Sequence, residues 1–131
     1  MNLLKGQICE LLKQKDIILA KIACKQTILN VLMLDTLKDL KIGTKVELLF
    51  KEHELCFTFA KTILSVENSF LAKIDRIEKG ELLYHIFFDF QGDKLSSIIT
   101  KEKALELEIC ENQVWLCFVK ANDIILRINH A

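Results

Sequence analysis

The fold is decided by the stretch NLLKGQI at residues 2–8, which returns as NSFLAKI at residues 68–74. Both copies follow the pattern Asn-x-apolar-x-small-x-Ile, and they are offset by 66 positions (68 − 2). The same offset aligns Ile17 with Leu83, so the similarity extends beyond the opening motif. A chain of 131 residues can hold two lobes of about 65 residues that share a core. We therefore interpret the sequence as an internal repeat.

The two copies also end in a similar way, with Phe50-Lys51 in the first and Val119-Lys120 in the second. Here the offset is 69 (120 − 51), so the second copy carries three extra residues. They fall between residues 100 and 112, where a short helix is predicted, and insertions are best tolerated in such connections. We expect a first lobe at residues 1–65 and a second lobe at residues 66–131.

Each lobe is predicted to consist mainly of strands. In the stretch LLYHIFFDF at residues 82–90, apolar side chains alternate with His85 and Asp89, which is typical of a half-buried strand. The buried face would comprise Leu82, Tyr84, Ile86, Phe88 and Phe90. The turn QGDK at residues 91–94 then indicates a hairpin. Further strands are predicted at residues 46–50, 54–59, 95–99, 114–119 and 123–128, and short helices at residues 36–40 and 101–107. This pattern favours a mainly all-β fold of two tandem OB-like Greek-key barrel lobes, each with one short helix.

The composition limits the classes of partner. Hydrophobic residues make up 51% of the chain, enough for a packed interior, whereas Lys+Arg and Asp+Glu both number 18 and leave a net charge of zero. A neutral chain has no overall field to attract nucleic acid, so any anion has to be held by local groups. The first residues lack the apolar run of a signal peptide, and no segment is long enough to span a membrane. We therefore expect a cytoplasmic protein.

Catalytic and metal sites are not indicated. His53, His85 and His130 lie far apart with no metal-ligand spacing, and the four glycines form no phosphate-binding loop. The five cysteines, an odd number with no CxxC pair, are expected to be reduced and buried. Neither Cys110 nor Cys117 has an activating histidine nearby. We expect no enzymatic activity, no metal and no cofactor.

One candidate anion site lies where a strand meets a helix, in IITKEKA at residues 98–104. Thr100 occupies the N-cap position, and free backbone N–H groups, the helix dipole and the ammonium groups of Lys101 and Lys103 could together hold an anion. An ordinary capped helix with solvated lysines explains the same segment more simply. In the first lobe, Asp35 is expected at the corresponding place, where its carboxylate would repel a dianion.

The second candidate is the lysine that ends a strand in each lobe, Lys51 or Lys120. Lys120 is followed by Ala121 and Asn122, which let an anion approach backbone N–H groups. Lys51 is instead followed by an EHE sequence, whose two acids can pair with it. The second lobe is therefore expected to bind an anion more strongly than the first.

These motifs, in this order, resemble the molybdate/tungstate-binding molbindin family (Mop, TOBE). The openings at residues 2–8 and 68–74 are similar to its Asn-x-Leu-x-Gly-x-Val, with Ala72 in place of the glycine in the second copy. Residues 95–102, LSSIITKE, resemble the family's strand into Ile-Thr-Asn-Glu-Ser, and VKAN at residues 119–122 resembles its Ile-Lys-Ala-Ser. Further matches are Asn112 at the family's turn glycine, residues 42–46 and residues 50–51. The resemblance covers essentially the whole chain as a tandem pair.

The resemblance implies two OB-like lobes that bind molybdate or tungstate between lobes and assemble as a homo-oligomer, a trimer in family members. It implies a free-standing protein for storage or homeostasis of the oxyanion. The implied ligands are Thr100, Lys120, backbone groups near Ala121, and donors from Asn68 and Ser69. Two positions depart from the family, because Lys103 and Asn122 stand where it has serine. Both exchanges keep a donor but change its reach, and Lys103 also adds charge.

Two alternatives remain open. An OB-type module could bind single-stranded nucleic acid through exposed aromatic side chains, although the zero net charge argues against it. The aromatic candidates are Tyr84, Phe87, Phe88 and Trp115, which are more simply explained as core residues. A regulatory or assembly module that has lost its ligand would keep only its contact surface, and Asp35 and Lys103 fit such a loss.

Overall fold

The computed structural model describes residues 1–35 and 40–129, a range that contains ten strands and one α-helix. The strands are β1 (Asn2–Gln14), β2 (Ile17–Cys24), β3 (Thr27–Leu34), β4 (Lys45–Phe50), β5 (Cys56–Thr58), β6 (Asn68–Lys79), β7 (Leu83–Phe90), β8 (Asp93–Thr100), β9 (Val114–Val119) and β10 (Ile125–Ile128). A 3-10 turn spans Glu52–Glu54, and helix α1 spans Lys101–Leu107, as predicted. The mainly all-β, two-lobe fold is confirmed. The helix predicted at residues 36–40 falls mostly outside the described residues. Within the described part, no helix has the length and hydropathy needed to cross a membrane.

The ten strands form two five-stranded sheets, and each sheet is completed by a strand from the other copy of the repeat. One sheet has the order β10-β4-β1-β2-β3 and the other the order β5-β9-β6-β7-β8. Cys56 of β5 lies opposite Phe118, and Ile125 of β10 lies opposite Leu49. Each sheet thus takes residues from both sides of position 65, and the lobe bounds 1–65 and 66–131 stay a prediction.

Equivalent backbone hydrogen bonds occur in the two copies of the repeat, at the offsets of 66 and 69 residues found in the sequence. A β-bulge follows Ile8 in β1 and recurs after Ile74 in β6, 66 positions later. The N–H of Gly43 donates to Ile8 O at 2.8 Å, and the N–H of Asn112 donates to Ile74 O at the same distance. Gly43 and Asn112 both have positive φ, 97° and 72°, a conformation that glycine and asparagine adopt most readily. The three additional residues of the second copy lie between β8 and β9, where α1 is inserted.

The two exchanged strands begin two residues later than predicted, since each follows a turn. In the first copy, the N–H of Glu54 donates to Lys51 O at 3.0 Å. In the second copy, the N–H of Asp123 donates to Lys120 O at the same distance. A chain that is closing a turn cannot pair in a sheet at the same residues, so pairing starts only afterwards.

One hydrophobic core runs through both lobes. It contains the inward-facing side chains of both sheets, including Ile22 and Val46 from one and Phe88 and Trp115 from the other. In β7 the buried and half-buried side chains alternate as expected, with His85 and Asp89 on the half-buried side. Leu82 does not belong to the buried face, because it precedes β7 and is 74% exposed.

The cysteines are reduced, but the expectation that all five are buried is wrong. Cys24 and Cys117 lie in the core, whereas Cys9, Cys56 and Cys110 are exposed. Cys9 is at the β-bulge and Cys110 is in the turn before β9, where alternation with the core is broken. Small apolar character alone therefore did not identify which cysteines face inward.

Candidate functional site

The predicted site residues fall into two separate places in the chain. We call residues 67–69 and 119–122 the Lys120 seat, because Asn68 lies opposite Val119 where β6 begins and β9 ends. Thr100 lies at the end of β8, opposite Leu83. Strands β6 and β7 separate β8 from β9, and Thr100 is near the far end of β6. The structure thus brings Asn68, Ser69, Lys120, Ala121 and Asn122 together, and leaves Thr100, Lys101 and Lys103 apart from them.

The backbone of Ala121 is the centre of the Lys120 seat. Its N–H donates to Glu67 Oε1 at 3.1 Å, and its carbonyl accepts from the N–H of Leu32 at 3.0 Å. The Ala121 side chain is buried, whereas Glu67 and Lys120 are exposed. No carboxylate of residues 1–35 or 40–129 lies within 4.0 Å of Lys120 Nζ. The seat therefore combines a fixed backbone donor with an unpaired ammonium group.

A hollow adjoins this seat on the side of the exchanged strand β5. It has a volume of about 400 Å³ and includes Lys120, Asp123 and Cys56 in its lining. Burial raises the pKa of the Cys56 thiol, and the charge of Asp123 raises it further. Burial also raises the pKa of Cys117, so neither thiol is poised as a nucleophile.

Asn68 has a structural function that the sequence did not reveal. Its side chain is fully buried, and its Oδ1 accepts from the N–H of Asn30 at 2.6 Å while its Nδ2 donates to Asn30 O at 2.8 Å. The equivalent residue Asn2 makes the same pair of bonds to the N–H and C=O of Ser96, at 2.7 and 2.9 Å. Each repeated asparagine therefore fastens its own lobe to a strand of the other. Its presence at the start of both motifs was the signal that could have indicated this function.

The segment around Thr100 has the geometry of a capped helix. Thr100 Oγ1 accepts from the N–H of Lys103 at 3.1 Å, which confirms the predicted N-cap. The ammonium group of Lys103 forms an ion pair within the helix. Lys101 lines a hollow of about 430 Å³ whose lining also includes Glu81 and Glu102. Two carboxylates beside one ammonium group are unfavourable for binding a dianion in this hollow. The function of Thr100, Lys101 and Lys103 as ligands stays a prediction.

In the first copy, carboxylates occupy the donors that correspond to the Lys120 seat. The N–H of Lys51 donates to Glu54 Oε1 at 2.7 Å. The ammonium group of Met1 binds the Glu52 carboxylate and holds the pKa of Glu52 below its ordinary value. Carboxylates thus lie at this turn in the first copy, and weaker anion binding by the first lobe stays a prediction.

In the register of the repeat, the position equivalent to Thr100 in the first copy is Leu34, one residue before Asp35. The N–H groups of Asp35 and Lys101 donate to equivalent carbonyls at 2.7 and 2.8 Å, so these two residues correspond. The Asp35 carboxylate pairs with Lys13 at 3.5 Å. The helix that Asp35 was predicted to cap falls mostly on residues 36–39, outside the described residues, so the cap stays a prediction.

The aromatic residues considered for nucleic-acid stacking do not form an exposed platform. Tyr84, Phe88 and Trp115 are buried. Phe87 is half-buried, and the guanidinium carbon of Arg76 lies 3.9 Å from its ring centroid. Among the described residues, no group of three or more His, Cys, Asp or Glu side chains has an arrangement that could hold a metal ion.

The architecture is similar to that of a solved oxyanion-binding protein. Superposition on the cytoplasmic molybdate-binding protein ModG, in a form with molybdate bound, gives a TM-score of 0.90 and covers 98% of this chain and 96% of that chain. The chain has the ModG fold. The two sequences are 21% identical, so the likeness concerns the fold alone. No protein-family model matches the sequence, and no curated protein matches it.

Proposed function

We propose that this protein binds molybdate at the Lys120 seat. The observation that carries the proposal is that the N–H of Ala121 already holds an anionic oxygen, Glu67 Oε1 at 3.1 Å, next in sequence to Lys120, whose ammonium has no carboxylate partner among the described residues. A tetrahedral dianion has only acceptor oxygens and needs such convergent donors. Ser69 and Asn122 are exposed at the same seat and supply further donors. The fold shared with molybdate-bound ModG supports the same ligand.

The biological role that fits this site is storage or homeostasis of the oxyanion in the cytoplasm, without catalysis. Tungstate has the same charge and shape as molybdate, so the seat takes either ion. Sulfate presents the same charge on a smaller tetrahedron, and discrimination against it depends on the size of the site.

We propose that a second copy of the chain completes a site that uses the Thr100 segment as well. Within one chain, β6 and β7 lie between the strands that carry Thr100 and Lys120. A homo-oligomer, proposed here to be a trimer, would bring the Thr100 segment of one copy to the Lys120 seat of the next.

The test is calorimetric titration of the protein with molybdate, tungstate and sulfate, alongside a mass measurement in solution. We expect saturable binding of molybdate, and a dissociation constant about tenfold higher or more in Lys120→Ala. Lys79→Ala is the matched control, because Lys79 is exposed at the end of β6 opposite to Asn68 and the seat. Equal dissociation constants for the wild type and Lys120→Ala would remove Lys120 from the site. A defined oligomer that binds none of the three anions would instead indicate an assembly module.

A further inference from the structure

The donor at the centre of the Lys120 seat is occupied by the protein's own carboxylate. Glu67 reaches Ala121 from the start of β6, 54 residues earlier in the chain, and its Oε1 accepts from the Ala121 N–H at 3.1 Å. The donor is fixed, because Ala121 is only 1% exposed and its carbonyl is bound to Leu32. The acceptor is an exposed, flexible side chain. Glu67 can therefore leave the donor without disturbing the scaffold.

The first copy of the repeat also has a carboxylate on a backbone N–H of this turn. Glu52 is the equivalent of Ala121, because each follows the lysine that ends a paired strand, after Phe50 opposite Asn2 and after Val119 opposite Asn68. One residue earlier, the N–H of Lys51 donates to Glu54 Oε1 at 2.7 Å. In both copies a backbone N–H of this turn therefore holds a carboxylate oxygen, which is a stronger acceptor than a neutral one.

We propose that the Glu67 carboxylate is an internal competitor, which occupies the Ala121 N–H in the empty protein and is displaced by the dianion when the ligand binds. This inference rests on the proposed function. Glu67 is tethered beside the donor, so a free anion must outcompete it through stronger interactions. A dianion that also contacts Lys120 has those interactions, whereas an anion that contacts only the N–H does not.

The charges at the seat favour displacement over shared occupancy. A carboxylate left beside a bound dianion would repel it even at the dielectric constant of water. Lys120 does not hold Glu67 in place, because no carboxylate of the described residues lies within 4.0 Å of its Nζ. Glu67 thus leaves toward solvent while Lys120 remains for the ligand. The consequence is a raised threshold concentration for binding and a preference for doubly charged anions.

The experiment compares molybdate titrations of the wild type, Glu67→Gln and Glu67→Ala. The glutamine keeps an acceptor oxygen but removes the charge, whereas the alanine removes both. We expect a dissociation constant about tenfold lower in Glu67→Ala, with Glu67→Gln in between. Glu111→Gln and Glu111→Ala are the matched controls, because Glu111 is exposed in the turn before β9 and changes the net charge equally. These controls should bind as the wild type does.

A second readout follows the donor itself. Without ligand, hydrogen exchange of the Ala121 amide, measured by NMR, should be faster in Glu67→Ala than in the wild type, and molybdate should restore its protection. If the wild type binds molybdate and Glu67→Ala binds it with the same or a lower affinity, Glu67 is not a competitor. The proposed function would still hold in that case. Absence of molybdate binding in the wild type and in both Glu67 variants would refute the proposed function and the competitor together.

Discussion

Asn68 and Asn30 are joined by two hydrogen bonds, in which the Asn68 side chain binds the N–H of Asn30 at 2.6 Å and its C=O at 2.8 Å. The amide of Asn68 thereby acts as one more peptide group along β3, which is otherwise an edge strand of its sheet. Asn2 does the same for Ser96 of β8. The two edge strands are thus paired across the lobes rather than left open to other chains.

Asn68→Ala should lower the free energy of unfolding by about 1–3 kcal/mol, because it leaves a half-buried N–H and C=O of Asn30 without their partner. Asn68→Asp should be at least as destabilising, since a carboxylate cannot donate to Asn30 O and would be a buried charge. The measurement is denaturant unfolding, with Asn122→Ala as the control at an exposed position. If Asn68→Ala unfolds at the same denaturant concentration as the wild type, water replaces both hydrogen bonds.

Gly6→Ala should be destabilising by about 1–3 kcal/mol through overpacking. A Cβ at Gly6 would lie 2.6 Å from Ile22 Cγ2 and 2.7 Å from the carbonyl oxygen of Ala23, and the backbone oxygen cannot move away without disturbing the β1–β2 pairing. The equivalent residue in the second copy is Ala72, which is accommodated in the core. Ala72→Gly is therefore the reciprocal variant, expected to cost about 1 kcal/mol or less. Equal losses of unfolding free energy in Gly6→Ala and Ala72→Gly would contradict the proposal that a Cβ has room at position 72 and not at position 6.

The two halves of the chain should not fold independently. A fragment of residues 1–65 lacks β10, and a fragment of residues 66–131 lacks β5, so each would leave the outer edge of β4 or β9 unpaired. We expect each fragment alone to have a poorly dispersed NMR spectrum, and the mixture to recover native dispersion and elute as a complex in size-exclusion chromatography. Cooperative thermal unfolding of either fragment alone would show that the exchanged strands are dispensable.

The cysteines should react with alkylating reagents at different rates. Cys9, Cys56 and Cys110 are exposed, and Cys9 and Cys110 should be modified first, because desolvation raises the pKa of the Cys56 thiol. Burial raises the pKa of Cys24 and of Cys117, so at pH 8 these thiols remain protonated as well as inaccessible. Mass spectrometry after timed treatment with iodoacetamide should therefore show two early adducts, and five in guanidinium chloride. Early modification of Cys117 would indicate that the core opens locally.

Much of the fold was accessible from local patterns. The alternation in β7, the turn after Phe90 and the Thr100 cap are properties of short segments, and each was predicted from neighbouring residues. The register of the repeat was also accessible, because both copies bury the same positions. Leu82 was placed wrongly, since a period of two cannot locate the residue at which pairing begins.

The candidate site was only partly accessible for the same reason. Lys120 and Ala121 were found because they are adjacent in the sequence, whereas Glu67 joins them from 54 residues away. The hydrophobic periodicity of the sequence does not relate Glu67, at the end of the connection before β6, to the backbone N–H of Ala121 in a distant turn. The separation of Thr100 from Lys120 likewise follows from the strand order, which sequence spacing does not report.

The sequence by itself determined a twofold repeat of half-buried strands, since hydrophobic alternation acts between residues that are close along the chain. The tertiary structure decided three further features: the exchange of β5 and β10 between the sheets, the pairing of Asn68 with Asn30, and the contact of Glu67 with Ala121. These depend on which edge strand and which backbone donor are unpaired once both sheets have formed. The need to satisfy buried polar groups then selects partners in space, whatever their separation in the chain.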